Sequence, residues 1–426
     1  MLALLFSILI SPATFASPAF PYSTRTRSYS GWNSTIQGDV TGLGMGGATV
    51  AIPSSISAAQ INPAGFAMVT ASVSAQILSN TIDDRHIQSS ENRYDTNQWG
   101  LSVNPPPWGL GILYYSPTTE NGNYQSPTTG KDIDAAVSVR EVRFAVAHAF
   151  LDHQLSLGLS LGVAKAIRQL GQYNYNSIAI DSEFGALYLM PHHFILGASY
   201  IPQNTMNASG DVYAQNDMPG FNQAIITPAQ VSAGVAWQPN RFFKTGFSLT
   251  YISSTVNTAL LSDQNKIVGA ISVIEPRLGA NYVFAEFKNI KIEYAIGTYF
   301  EPSRITGDSN RMHGTMGLEI EPWFMNVGLG FDVADDYKNV LMSISLDIVR
   351  AARAFELIPK DPVSPYHGYF PPIFTVKAEG LPQGMTEGEH NNTPPISLEN
   401  VEKIISDVPE KIREKMSPSQ PPKGSK

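Results

Sequence analysis

Residues 155–163 read Leu155-Ser156-Leu157-Gly158-Leu159-Ser160-Leu161-Gly162-Val163. In an extended chain successive side chains point to opposite faces. Four leucines and a valine therefore share one face, and only serine and glycine occupy the other. The same two-residue period recurs downstream. Ile290, Ile292, Tyr294, Ile296 and Phe300 alternate with Lys291, Glu293, Ala295 and Gly297. Met325, Val327, Leu329 and Phe331 alternate with Asn326, Gly328, Gly330 and Asp332. Phe243, Phe247, Leu249 and Tyr251 alternate with Lys244, Gly246, Ser248 and Thr250, and Val340, Met342, Ile344, Leu346 and Ile348 with Leu341, Ser343, Ser345 and Asp347. A water-soluble β-sandwich shows the same period, but its polar faces meet water and carry many Lys, Glu and Thr. Here those faces are small and sparsely charged, which suits the inside of a filled membrane barrel.

Composition agrees. Only 15% of the 426 residues are charged and 10% are aromatic, with 34 glycines. After the start of the chain no stretch is apolar for the 18 or more residues that a transmembrane helix needs. A net charge of −8 argues against nucleic-acid partners. The absence of cysteine excludes disulfides, a lipid-anchored N-terminal cysteine and the usual thiolate metal sites. Residues 1–16, MLALLFSILISPATFA, form an apolar core followed by small residues, which predicts a cleaved export signal.

Strands are expected near 70–78, 97–105, 109–117, 139–150, 154–168, 178–190, 193–202, 228–237, 242–256, 267–285, 290–301, 312–320, 324–333 and 339–349. Short links (106–108, 151–153, 191–192, 238–241, 286–289 and 321–323) mostly alternate with longer ones (79–96, 118–138, 169–177, 203–227, 257–266, 302–311 and 334–338). Bacterial outer-membrane barrels place short turns in the periplasm and longer loops outside, with an even strand count and aromatic girdles at both interfaces. Trp108, Trp237 and Trp323 stand near turns, and Tyr114, Tyr200, Tyr251 and Tyr282 lie toward strand ends. In lipid every backbone polar group must be paired within the protein, so the sheet must close. The fold class predicted is all-β: a transmembrane antiparallel β-barrel of about 14 strands, in the outer membrane, with both termini periplasmic. A barrel this wide is either a channel or plugged.

Residues 17–69 lack sustained alternation. They contain Gly42-Leu43-Gly44-Met45-Gly46-Gly47-Ala48 and then Ile61-Asn62-Pro63-Ala64-Gly65-Phe66. A phosphate cradle is not supported, because no preceding strand, Lys-Ser/Thr pair or downstream acid accompanies the glycines. The segment GLGMGGATVAIPSSISAAQINPAGF (42–66) resembles the N-terminal hatch of the long-chain fatty-acid outer-membrane transporter family, the FadL-like proteins. Thr227-Pro228-Ala229-Gln230, leading into Val231–Trp237, is placed like the family's Leu-Pro-x-x strand entry. Pro276-Arg277-Leu278-Gly279, Tyr299-Phe300-Glu301-Pro302-Ser303 and Arg311–Gly317 are similar to its C-terminal hairpins. The resemblance covers most of residues 38–349. It implies fourteen strands over 70–350 and a lumen hatch over 17–69 that includes Gly44, Gly46, Gly47, Asn62, Pro63 and Ala64. It also implies an outer-membrane channel for passive uptake of hydrophobic molecules such as long-chain fatty acids, with a sideways wall opening made by a strand kink. Pro53-Ser54-Ser55 stands where the family commonly has an acidic pair, and the outer loops are short. A subgroup with this hatch style includes partners in protein secretion. That supplies the alternative: a secretion or envelope-assembly partner acting through its periplasmic tail, without small-molecule transport.

The alternation points Glu141, Arg143, Asp181, Glu183, Lys244, Arg277, Lys291, Glu293, His313, Glu319, Asp332 and Asp347 inward. Buried charges need partners, so mutual pairing and pairing with the hatch backbone is the first expectation. For a ligand carboxylate, Arg143, Lys244 and Arg277 are the candidate contacts, because a fixed cation is what a carboxylate requires. No catalytic constellation, metal-ligand spacing or cofactor motif emerges, so the chain is not read as an enzyme. Partners expected are outer-membrane lipid and a hydrophobic small molecule. Past the barrel, 362–395 is rich in Pro and Gly, as linkers are. Ser397 then caps an expected helix over 396–416 with the apolar stripe Val401, Ile404, Ile405, Val408 and Ile412, a contact arm for a periplasmic protein or the cell wall.

Overall fold

The computed structural model describes residues 38–357 except 54–55, 69–72, 85–92, 126–131, 152, 171–172, 207, 210–224, 241, 255–261, 264–265, 268–270, 288–289, 305–309 and 336. The expected export signal (1–16) and tail helix (396–416) lie outside the described residues.

Fourteen strands carry the fold: β1 Val73–Asp84, β2 Arg93–Val103, β3 Trp108–Gln125, β4 Asp132–Phe150, β5 Leu155–Leu170, β6 Tyr173–Leu189, β7 Phe194–Ile201, β8 Gln230–Asn240, β9 Phe243–Ile252, β10 Val273–Phe287, β11 Ile290–Glu301, β12 Arg311–Pro322, β13 Met325–Ala334 and β14 Tyr337–Asp347. Each pairs antiparallel with its neighbour in the chain, and β14 returns to β1 with Ile344 opposite Ile77. The sheet is thus a closed, all-β antiparallel barrel. The two-residue strand Ala208–Ser209 adds to β6 outside the ring. Closure pairs the last strand with the first, which is the condition for placing a sheet in lipid.

The wall is apolar outward on every side. Ile77, Leu101, Val146, Leu161, Ile180, Leu196, Leu249, Leu278, Ile296, Leu318, Val327 and Ile344 are all exposed, Ile180 to 73%. Large apolar side chains facing out around a whole closed sheet have no stable place in water; they need a hydrocarbon solvent. Rings gather near the strand ends. Trp237 stacks on Phe194 (6.3 Å between centroids) toward the short-turn rim. The short turns bend through left-handed residues, with φ of 51° at Leu151, 61° at His192 and 53° at Trp323.

All fourteen expected strands are present, but those on one side of the barrel are longer than their hydrophobic pattern. The stretch 118–138, expected as a loop, is largely strand: Thr118 pairs with Val139 and the ladder continues to Gln125 with Asp132. A transmembrane strand needs about 9–11 residues, whereas β3 has 18 and β4 has 19. The extra length carries TTENGNYQ (118–125), which has no apolar alternation. Alternation records contact with lipid, and backbone pairing continues beyond the bilayer without it.

Inside the ring lies the segment 38–68, with α1 Val40–Gly44, α2 Ala58–Ile61 and a 3₁₀ turn Pro63–Ala67. The apolar core is the interface between this plug and the wall. Met45, Ile52, Ala64 and Met68 pack with Leu187, Leu189 and Ile195. Ile56 and Phe66 pack with Leu113, Tyr115 and Ala147, and Val40 and Leu43 with Leu78, Tyr299 and Leu341. After β14 the chain turns into a short helix, α3 Ile348–Ala354.

Candidate functional site

The plug is seated on glycine. On β3, β5, β6, β7, β9, β10, β11 and β12 the inward positions facing it are Gly109, Gly158, Gly185, Gly197, Gly246, Gly279, Gly297 and Gly317. At each, an added Cβ would fall under 3.0 Å from plug atoms. The neighbours are mostly plug backbone: Phe66 at Gly109, Ala64 at Gly158, Ala51 at Gly197, Ala48 at Gly246, Met45 at Gly279 and Gly297, and Val40 at Gly317. Several of these glycines are cross-strand partners, as in Gly158 with Gly185, Gly246 with Gly279 and Gly279 with Gly297. Those on β3, β5, β6, β7 and β9 lie toward the short-turn rim, whereas Gly279 and Gly297 lie further along their strands. The small inward faces in the sequence are therefore a docking track for the hatch.

Hatch residues have matching roles. Gly46 and Gly47 turn the chain at φ 64° and 72°, a region open to glycine without steric cost. Gly44 lies against Ala295 and Gly317, where a Cβ would collide. Asp39 caps α1 by accepting from Gly42 N at 2.7 Å. Glu319 accepts from Thr41 N at 2.9 Å, and Thr315 donates to the Gly44 carbonyl at 2.8 Å. At the far end the Asn62 side chain donates to the Val50 carbonyl (2.8 Å) and to the Ala186 carbonyl of β6 (3.1 Å), while its oxygen accepts from Ala64 N (3.2 Å). Pro63 and Ala64 lie in the groove over Gly158 and Gly185, and Ser156 holds the Ala64 carbonyl at 2.7 Å.

The three cations expected to meet a ligand separate. Arg143 is 1% exposed. Its Nε is paired with Glu141, one terminal nitrogen with Asp181, and the other with Glu183 (2.8 Å) and the Ala59 carbonyl of the hatch (3.2 Å). Tyr115 donates to the other Glu141 oxygen at 2.6 Å. Its guanidinium is thus occupied by three carboxylates and the hatch, which fits the pairing expectation and leaves it unsuited to capturing a fourth carboxylate. Lys244 stands near the short-turn end of β9, within electrostatic reach of Glu293 and Glu319. Arg277 pairs with Glu275 (2.8 Å), lies over the Tyr299 ring and lines a cavity. A second buried network joins His313 to Asp332 and to Glu301, each at 2.9 Å, with Tyr299 donating to Asp332 at 2.8 Å. Among the described residues no group of three or more His, Asp or Glu is arranged to hold a metal ion.

The cavity, about 80 Å³, lies between the hatch and the wall formed by β6 to β10. Ile201, Gln230 and Thr250 line it near the long-connection ends of their strands, so it opens on that side of the hatch. Thr49, Gln60 and Ile61 form its hatch side. Sequence reasoning named Arg277 but missed Gln60 and Thr49. Neither has an alternation pattern to orient it, and only the folded hatch turns them toward the lumen.

On the same side several ladders stop short of their strand ends among the described residues, β6–β7 at Phe184, β10–β11 at Arg277 and β12–β13 at Gly314, and so does the ladder beside β2. β2 pairs with β1 from Arg93 to Val103, but with β3 only from Gln98 (opposite Tyr115) to Val103. Beyond Tyr115, Ser116 and Pro117 stand opposite Arg140 alone before the β3–β4 ladder resumes at Thr118 with Val139. Two residues against one is a β-bulge, and Pro117 has no N–H for a ladder. Among the described residues, 93–97 of β2 have no partner on β3. The cluster Tyr115–Glu141–Arg143–Glu183 runs from this seam to the cavity.

No family model matches the chain, and no curated protein matches it in sequence. Solved structures do match its fold. The Pseudomonas putida toluene transporter TodX superposes with a TM-score of 0.52 at 13% identity, covering 73% of this chain and 99% of that one. The Ralstonia pickettii toluene transporter TbuX gives 0.50 at 13%, covering 73% and 99%. A Pseudomonas aeruginosa FadL homologue gives 0.50 at 11%, covering 73% and 98%. The chain shares the plugged outer-membrane barrel fold of the FadL and TodX proteins.

Proposed function

We propose that the chain is an outer-membrane channel through which hydrophobic molecules, of the size of a fatty acyl chain or a monoaromatic ring, diffuse passively. The observation that carries this reading is the interrupted β2–β3 ladder on the long-connection side of a tightly seated hatch. Among the described residues the hatch is packed onto the wall through glycine, so a solute that enters from the long-connection rim meets it across the lumen. A gap in the wall leads sideways into the bilayer instead. Only a solute that dissolves in hydrocarbon gains from such an exit; a sugar or an ion does not. The shared fold of two toluene transporters and a FadL homologue supports the same reading.

In this reading the long connections face the exterior and the short turns the periplasm, which puts both ends of the barrel chain in the periplasm. Residues 1–16 are the export signal, and Arg277 is the lumen cation nearest a passing solute. Uptake of labelled oleate and labelled toluene, in a strain lacking the protein and in the same strain with it restored, tests the proposal. Restored uptake of at least one is expected. Equal uptake with and without the protein for both solute classes would remove it.

A further inference from the structure

The buried network around His313 has no part in the channel reading. His313 is 1%, Asp332 0% and Glu301 5% exposed. Nδ1 of the ring lies 2.9 Å from Asp332 Oδ1, and Nε2 lies 2.9 Å from Glu301 Oε2. An ionised carboxylate only accepts hydrogen bonds, whereas a neutral imidazole has one donor nitrogen and one acceptor nitrogen. A neutral ring would therefore turn a lone pair onto one of the two carboxylates, in a buried site where an unpaired charge is costly. One further proton removes the clash. The imidazolium is its natural carrier, because Glu301 Oε2 already accepts from Arg311 Nε at 3.1 Å and Asp332 Oδ2 from the Tyr299 hydroxyl at 2.8 Å.

The surrounding strands agree with that count. Facing the ring are Glu301 and Tyr299 of β11, Arg311 of its own strand, Asp332 of β13 and Tyr337 of β14, whose ring meets the imidazole edge-on at 5.0 Å. Arg277 of β10 lies over the Tyr299 ring and is paired with Glu275. Two arginines and three carboxylates leave one negative charge, which an imidazolium cancels. The network also bears on the hatch. Tyr299 stacks on His313 with centroids 4.1 Å apart and packs against Val40 and Leu43 of α1. β12, which carries His313, holds the same helix through Thr315 and Glu319.

We propose that Asp332, His313 and Glu301 form a proton-dependent clamp on the first helix of the hatch. With the proton bound, Tyr299 is fixed against Val40 and Leu43. As pH rises and the proton leaves, one ring nitrogen repels its carboxylate, Tyr299 loses its support and α1 loosens from the wall. The clamp needs only the barrel and its hatch, so it stands whichever solute passes. The test is the ion conductance of the full chain in planar bilayers, scanned from about pH 5 to about pH 10, a range that contains imidazole titration. Conductance is expected to be low at the acid end and several-fold higher at the alkaline end, with the slope of a single-proton titration. In His313→Gln it is expected to be raised at every pH, with the step lost. Glu301→Gln should do the opposite. The introduced amide can donate to a neutral ring, so the clamp closes without the extra proton and conductance stays low throughout. This second variant also serves if the first does not assemble, as judged by the heat-modifiable gel shift. Conductance of the unaltered protein that does not change with pH, a step that persists in either variant, or a low and flat conductance in His313→Gln would overturn the clamp.

Discussion

Single residues bear the tightest constraints. Gly185 is one: a Cβ there would fall 2.8 Å from Pro63 and 3.0 Å from Ala64 of the hatch and onto the Asn62 side chain. Overpacking at such a contact costs about 1–3 kcal/mol. Gly185→Val is therefore expected to unseat the hatch and not to unfold the wall. In planar bilayers this should appear as a rise in ion conductance with the heat-modifiable gel shift of the barrel retained; unchanged conductance would mean that the hatch tolerates the side chain. Arg143 is another. Removing a buried cation strands its partners and typically costs about 3–5 kcal/mol. Arg143→Met would leave Glu141, Asp181 and Glu183 facing one another, and a lowered urea midpoint of the assembled barrel is expected. A midpoint equal to that of the unaltered protein would show that the cluster is not a structural tie. Sequence alternation placed Arg143, Lys244 and Arg277 inward but could not rank them. The partners that distinguish them come from other strands and, for Arg143, from the hatch 84 residues away.

At the scale of elements, the pattern was legible wherever a strand touches lipid. β11 carries it without interruption from Ile290 to Ile296, and its range is the one expected. β3 and β4 show where the pattern ends: past Pro117 polar residues fill both parities, so the sequence reads as loop although the ladder runs on to Gln125 and Asp132. The seam beside β2 belongs to this scale. Deleting Pro117 restores one residue opposite Arg140 and extends the wall by regular pairing. Several-fold slower uptake of toluene or oleate is expected, with the protein still inserted. Undiminished uptake would mean that the solute leaves by another route. The bulge itself leaves a faint sequence trace, a proline inside an otherwise strand-like run. That trace does not say which neighbour loses its partner.

For the molecule as a whole, the apolar belt decides the solvent. With Ile180 and Phe284 each 73% exposed and similar side chains on every strand, the protein is expected to be monodisperse only in detergent or lipid and to fractionate with outer membranes. Recovery as a monodisperse species in plain buffer, by size-exclusion chromatography, would contradict the barrel's placement. The interior differs in kind. Its core is formed between hatch and wall, with contacts such as Thr41 to Glu319 across 278 residues.

The amino-acid sequence by itself determined a closed antiparallel barrel, its strand number and the residues facing lipid. Those follow from a period of two, which is written locally, and from the rule that backbone in hydrocarbon must be paired. Only the tertiary structure decided that the inward glycines carry the hatch, that Arg143 is consumed by three carboxylates, that Gln60 and Thr49 line a polar cavity, and that the wall parts beside β2. Each of these depends on which distant segments meet inside the ring, and no local periodicity encodes such a meeting.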